Sequence, residues 1–310
     1  MAKSIEDKLV VGISSSALFD LSESDKVFRE HGEDKYREYQ RENIDNTLQI
    51  GVAFPFIKRV LHLNNIFDEL QPVEVVLLSK NDPETGLRVF RSIKKYELTI
   101  TRAAFTTGKS PYQYIPAFNI SLFLSKNPND VLKAIEAGYP AGTVMPSKIE
   151  DDSDPELRIA FDFDGVIADD ESETIYKETK DIEAFNKHEM KNVHLPHKPG
   201  PLGNLFRKLA FIQKLELKKE LQDKSYRRRI RTAIITARGA PSHERVVTTL
   251  SDWGVSADET FFLDGIKKHN ILEIFKPHIF FDDQLDHLKS VAGNVPMVHI
   301  PFGIANKPSS

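Results

Sequence analysis

The run Arg158-Ile-Ala-Phe-Asp-Phe-Asp164 sets the strongest limit on how this chain can fold. It is too short for a buried helix, and Ile159 to Phe161 is apolar without alternation. It therefore reads as a strand covered on both faces. The same run delivers two carboxylates at its end. Comparable runs follow at Thr232-Ala-Ile-Ile-Thr236, Thr260-Phe-Phe-Leu263 and His278-Ile-Phe-Phe-Asp-Asp283, and Met297-Val-His-Ile300 closes the series. Helical stretches separate them. One is opened by Pro241 and Ser242, puts Val246, Leu250 and Trp253 on one face, and stops at Gly254. Buried strands alternating with helices make an α/β fold, a parallel sheet with helices on both faces.

Residues 169–229 break this alternation. They contain a helical stretch with Leu205, Leu209 and Ile212 on one face, and read as an inserted cap. The acidic stretch 150–156 has no apolar member and reads as a surface linker. It separates an N-terminal α/β half, residues 1–149, from a second half, residues 157–310. The first half repeats the pattern. Strands are expected at Leu9–Ile13, Val73–Ser79, Leu98–Thr101 and Ile120–Ser125, with Gly142–Met145 ending the half. Ser14-x-Ser16 lies where Asp162-x-Asp164 lies, Ser79 matches Thr236, and Ser125 falls near Asp282 or Asp283. The first half thus reads as a degenerate copy of the second, and the two must then share one strand order.

Charge and composition narrow the function classes. Lys plus Arg is 42 and Asp plus Glu is 46, a net charge of −4, which argues against a nucleic-acid or anionic-membrane binder. The chain has no cysteine, so disulfides, thiol catalysis and thiolate metal sites are excluded. Met1-Ala-Lys-Ser-Ile-Glu-Asp-Lys8 does not read as a signal peptide, and no apolar run approaches the roughly 18 residues of a membrane span. The expectation is a cytoplasmic protein with a small-molecule substrate; a homo-oligomer is compatible with it.

Asp162 and Asp164 alternate on a strand end and can converge on one ligand. Burying both is costly without a cation, and Mg²⁺ suits carboxylate oxygens. Asp282-Asp283 ends a second strand, Thr236 a third, and Lys268 follows a fourth. Parallel α/β sheets bind ligands at the carboxyl ends of their strands. A carboxylate nucleophile, an acid/base, a metal, a hydroxyl and an ammonium fit phosphoryl transfer.

This order resembles the haloacid-dehalogenase-like (HAD-like) phosphatase superfamily, a Rossmannoid fold. The second Asp of Asp162-x-Asp164 is what its phosphoryl-transfer branch carries. Ser14-Ser-Ser-Ala-Leu-Phe-Asp20, Ala53-Phe-Pro55, Leu98-Thr-Ile-Thr-Arg102 with Ser110-Pro111, Asp169-Asp-Glu-Ser-Glu173 and His278-Ile-Phe-Phe-Asp-Asp-Gln284 resemble the cytosolic type-I 5′-nucleotidases, from about Leu9 to about Gly303. Two departures stand out. The animal enzymes read Asp-Gly-Asp where this chain has Asp162-Phe163-Asp164, which leaves the chemistry alone. They carry Arg where this chain has Ser16, which bears on substrate preference and effector response.

The resemblance implies Mg²⁺-dependent hydrolysis of nucleoside 5′-monophosphates, ribo or deoxy, of the AMP or IMP type. Asp162 would be the nucleophile that forms an aspartyl-phosphate, and Asp164 the acid/base. Thr236, Ala237 and Lys268 would bind the phosphoryl group. Metal ligands would be Asp162, the Asp164 carbonyl, and Asp283 or, alternatively, Asp282. Base and ribose contacts are expected from Asp170, Glu171, Ser172 and Glu173, from Arg238, and from the stretch Tyr112 to Phe118. Two competing classes remain: a catalytically inactive nucleotide sensor, and a P-loop-type kinase or ATPase built on Ala103-x-x-x-x-Gly108-Lys109-Ser110. Pro116 opposes the helix the latter needs. His194-x-x-His197 lacks a third zinc ligand and reads as loop composition; Arg227 to Arg231 reads as a solvated face.

Overall fold

The computed structural model describes residues 8–148, 151–152, 154–289 and 295–307. Residues 1–7, and Glu150 and Ser153 of the acidic stretch, lie outside them. The chain divides into two compact units, Met1–Tyr139 and Pro140–Ser310.

The first unit comprises β1 (Leu9–Ile13), α1 (Ser15–Leu18), β2 (Phe19–Asp20), α2 (Ser22–Glu42), β3 (Gln49–Ile50), α3 (Phe54–Ile66), β4 (Val73–Ser79), α4 (Leu87–Lys95), β5 (Arg102–Phe105), β6 (Leu122–Ser125) and α5 (Pro128–Glu136). Its sheet runs β6-β1-β4-β5 with every pair parallel, beside a small antiparallel β2-β3 ribbon. β1 and β4 are buried almost throughout, as their unbroken apolar runs require. At the strand ends the expected hydroxyls satisfy one another: Ser14 caps α1, and Ser15 Oγ lies 3.1 Å from Ser79 Oγ.

Two expectations change here. The third strand begins at Arg102, not Leu98, because Leu98 and Ile100 bury themselves in the loop that closes α4. The P-loop reading also fails. Its backbone donors are spent on the strand ends, with Thr106 N bonded to Ser79 O at 3.0 Å and Gly108 N to Lys80 O at 2.7 Å. Only 3₁₀ turns follow, at Pro111–Tyr114 and Pro116–Phe118, so no helix N-terminus faces a phosphate.

The second unit comprises β7 (Ala141–Val144), β8 (Leu157–Phe161), α6 (Glu171–Thr179), α7 (Ile182–Lys191), α8 (Gly203–Gln222), β9 (Ile230–Thr236), α9 (His243–Asp252), β10 (Glu259–Phe262), α10 (Lys268–Phe275), β11 (Ile279–Asp282), α11 (Leu285–Lys289) and β12 (Met297–His299). The sheet order is β10-β9-β8-β11-β12-β7. The first five strands are parallel, and only β7 runs antiparallel, against β12. This is the expected HAD-like Rossmannoid α/β arrangement. Numbered along the chain from β1 (leaving out the β2-β3 ribbon) and from β8, the parallel strands read 3-2-1-4 from one edge in the first unit and 3-2-1-4-5 in the second.

The sequence places β7 at the end of the first half. Its Thr143 and Val144 instead pair with His299 and Val298, so the boundary between the units precedes it. The acidic stretch is also tied down: Asp152 and Asp154 pair with Arg158 at 2.9 and 2.6 Å. The insert divides in two. Helix α8 buries Leu205, Phe206, Leu209 and Ile212, and Phe206 meets Phe161 of β8 edge-on at 5.5 Å. It is the crossover helix between β8 and β9, packed on the sheet, which corrects its reading as part of a cap. Helices α6 and α7 make up the rest of the expected cap. No helix among the described residues is long and apolar enough to cross a membrane.

Candidate active site

The chain turns sharply where β8 ends. Asp162 N still reaches Phe281 O at 2.8 Å, and Asp162 Oδ1 then accepts from Phe163 N at 2.7 Å. Gly165 follows with φ 69°, a conformation that disfavours any other residue. A Cβ there would come within 2.6 Å of Asp283 Oδ2. The turn therefore needs glycine twice over, and it brings the ends of β8 and β11 into contact.

Lys268 bridges those two ends. Its ammonium is buried, 2.6 Å from Asp162 Oδ2 and 2.7 Å from Asp282 Oδ2. Burial opposes its charge, but the two carboxylates outweigh burial and hold its pKa above the ordinary lysine range. Asp162 is pushed up to about 7 by burial, against the pull of Lys268 and with added repulsion from Asp282 and Asp164. Asp282 goes the other way. Burial raises it, yet Lys268 and the His287 ring, Nδ1 3.2 Å away, keep it below the usual carboxylate range. Asp282 Oδ1 also accepts from Gln284 N at 2.8 Å.

Asp283 is different. It is 1% exposed, and neither carboxylate oxygen has a hydrogen-bond partner among the described residues. Burial, then Glu173, Asp162 and Asp282, push its pKa up to about 10. Two buried oxygens without a donor beside further carboxylates fit a hard divalent cation. Ligand atoms of Asp162, Asp282 and His287 also lie within 4.8 Å of one another. Those of Asp282 are already used by Lys268, Gln284 and His287, so the donor set favours Asp283 over Asp282.

This makes a stability prediction for the chelated protein. The folded form holds a proton on Asp283 that an unfolded carboxyl gives up. Stability should therefore fall as pH rises from the ordinary carboxylate range toward about 10. Asp283→Asn should remove that slope. At pH 8–9 with chelator the variant should melt higher than wild type, by about 1 kcal/mol or roughly 2–4 °C. Divalent cation should raise the melting temperature of wild type but not of the variant. Identical melting behaviour of the two proteins would remove Asp283 from the site.

A cavity of about 410 Å³ opens beside these residues. Asp162, Asp164, Thr236, Ala237 and Arg238 line it, and Gln284 and His287 join them. Helix α6 turns its Glu173, Tyr176 and Lys177 face inward, and α7 adds Ile182, Phe185 and Asn186. The structure does not bring Asp170, Glu171 or Ser172 to this cavity. Residues 173, 176 and 177 share one helical face and 170–172 point elsewhere. Asp170 Oδ2 accepts from Ile304 N at 2.7 Å, Glu171 pairs with His188 and Arg245, and Ser172 is fully buried. Tyr112 to Phe118 belongs to the first unit and does not line the cavity. The aromatic residues there are Tyr176 and Phe185, which sequence reasoning missed.

Arg238 is 5% exposed. Its Nε and Nη2 hold Asp164 Oδ2 and Oδ1 at 2.7 and 2.6 Å, a two-point grip. Nη1 contacts Glu189 Oε2, and the guanidinium lies over the rings of Phe163 and Phe185. Glu189 Oε1 accepts from Ser172 Oγ at 2.5 Å and from Arg245 Nη1 at 3.0 Å. Burial would raise the Glu189 carboxyl, but His197, Arg238 and Ser172 hold it far below the usual range. His197 joins this cluster, while His194 is exposed, so the two do not form a common metal site.

Comparisons with known proteins place the chain in a family. A family model described as 5′-nucleotidase matches residues 1–307. Human cytosolic 5′-nucleotidase 1B is 34% identical over 291 residues, which cover 92% of this chain and 47% of that protein. The chain thus spans about half the length of that curated relative. No solved structure matches the chain.

Proposed function

Since the chain belongs to the 5′-nucleotidase family, we propose that it hydrolyses nucleoside 5′-monophosphates of the AMP or IMP type to nucleoside and phosphate. One observation carries the reading. A buried ammonium, Lys268, joins Asp282 to Asp162, which lines the cavity of about 410 Å³, and the unpartnered Asp283 follows Asp282 in the chain.

Asp162 is the nucleophile. Phe163 N and Lys268 fix its two oxygens, so the carboxylate cannot rotate away from an incoming phosphorus. Asp164 protonates the departing 5′-oxygen and then takes a proton from the water that cleaves the aspartyl-phosphate. Thr236 and Ala237 meet the phosphoryl oxygens at the end of β9. Lys268 offsets their charge, in a site where burial makes that charge count. Mg²⁺, held by Asp162, the Asp164 carbonyl and Asp283, would supply further neutralisation of the transferring group. Tyr176 and Phe185 form the apolar wall against which a base would rest.

The direct test is phosphate release from a panel of nucleoside monophosphates with Mg²⁺ and with chelator. Release from AMP or IMP that chelation abolishes is the expected result. No release from any member would favour a binding protein that has lost its chemistry, and binding on the same panel would then identify its ligand.

A further inference from the structure

The cluster behind Asp164 has no place in the mechanism just given, yet it joins Glu189 of α7 to Arg238, Arg245 and His197. Glu189 is its centre. Its side chain is wholly buried and accepts from Ser172 and Arg245 through one oxygen. The other oxygen faces Arg238 and, at 3.5 Å, His197. Arg245 is itself anchored to Leu195 O at 2.8 Å and to Glu171, and His197 approaches Asp169 at 3.4 Å. Glu189 is thus held on three sides by groups that cannot follow the cavity. Arg238 is the only member that also touches Asp164.

From this arrangement we infer that Glu189 is a positioning residue, which anchors Arg238 so that the guanidinium keeps Asp164 aimed at the leaving oxygen. The inference rests on the proposed role of Asp164. A guanidinium aims a carboxylate only while its own place is fixed. Glu189, two cation–π contacts, Ser242 O at 3.3 Å and His197 Nε2 at 3.2 Å fix it. Glu189 supplies the carboxylate among these partners, so without it the two-point grip on Asp164 loosens and the acid drifts from the leaving oxygen. Helix α7 of the cap then helps to set the acid/base geometry as well as walling the cavity.

Leaving-group chemistry separates this role from a structural one. A nucleoside 5′-oxygen is a poor leaving group and needs protonation. The same nucleoside with a bridging 5′-sulfur leaves as a thiolate and does not. The experiment compares kcat/KM for a nucleoside 5′-monophosphate and its 5′-S-phosphorothiolate analogue, in wild type and Glu189→Gln, with Mg²⁺ present. In the variant the oxygen ester should lose about 10–100-fold, part of the roughly 10²–10⁴-fold that a positioned general acid contributes. The sulfur ester should stay within about threefold of wild type. Equal losses on both esters, or no loss on either, would overturn the inference. Should Glu189→Gln fail to fold, Ser172→Ala removes one hydrogen bond to Glu189 and must show the same bias toward the oxygen ester; an unbiased loss, or none, counts against the idea. A wild type that cleaves neither ester would remove the proposed function along with the inference. Cleavage of both with an unbiased variant removes the role of Glu189 alone.

Discussion

Asp162→Asn is expected to lose turnover by roughly 10⁴-fold or more, the scale on which enzymes lose a covalent nucleophile. The fold should survive. The new amide oxygen can still accept from Phe163 N, and Lys268 keeps Asp282 as a partner at 2.7 Å. Stability has its own sign. The folded pKa of Asp162 is raised to about 7, so its charged form is a burden on the metal-free fold above that pH. The amide has no such charge, and the variant should melt at or above the wild-type temperature in chelator at pH 8. Turnover and a melting curve on one preparation give both readings. Turnover within about tenfold of wild type would remove Asp162 as the nucleophile.

Lys268→Ala should combine a loss of rate with a loss of stability. The ammonium is the cation that holds Asp162 and Asp282 together, and both carboxylates are buried. Removing one member of a buried ionic set costs about 3–5 kcal/mol, because the remaining charges lose their compensation. A bound phosphoryl dianion would face the same deficit, so the rate should fall by about 10³-fold or more. Lys268→Met separates the effects of packing and charge, since it restores most of the buried stem. Its rate should stay as low as that of the alanine variant while part of the stability returns. A rate change below about tenfold in both variants would leave Lys268 a structural ion pair and take it out of the chemistry.

The residues at strand ends were legible in the sequence because short apolar runs announce buried strands, and the polar residue that ends each run has one place to go. Asp162, Thr236, Asp282 and Asp283 follow from that logic, and Lys268 from the loop after a strand. The cap was not legible to the same depth. Asp170 to Glu173 are four polar residues in a row, and only the phase of α6 tells which of them faces inward. That phase is set by where the helix starts, so Glu173 reaches the cavity and Ser172 is sealed behind it. The Glu189 cluster is harder still. Its contacts to Arg238 and Arg245 span 49 and 56 residues, and no local pattern records them. His197 was passed over for the same reason: a histidine in a Pro-flanked loop carries no sign of the buried acids it will meet. The unit to which β7 belongs is not legible either, because a four-residue strand names its character and not its neighbour.

The hydroxyls at the strand ends of the first unit have a consequence of their own. Ser14, Ser15, Ser16 and Ser79 are uncharged and engaged with one another or with nearby backbone. Such an edge neither recruits a cation nor resists a phosphate, and its integrity does not depend on the ionic composition around it. In the second unit the charged groups at the strand ends are joined through Lys268, so a change in one alters the charge balance felt by the others. The hydroxyl contacts of the first unit carry no net charge, so a change in one leaves the electrostatics of the rest alone.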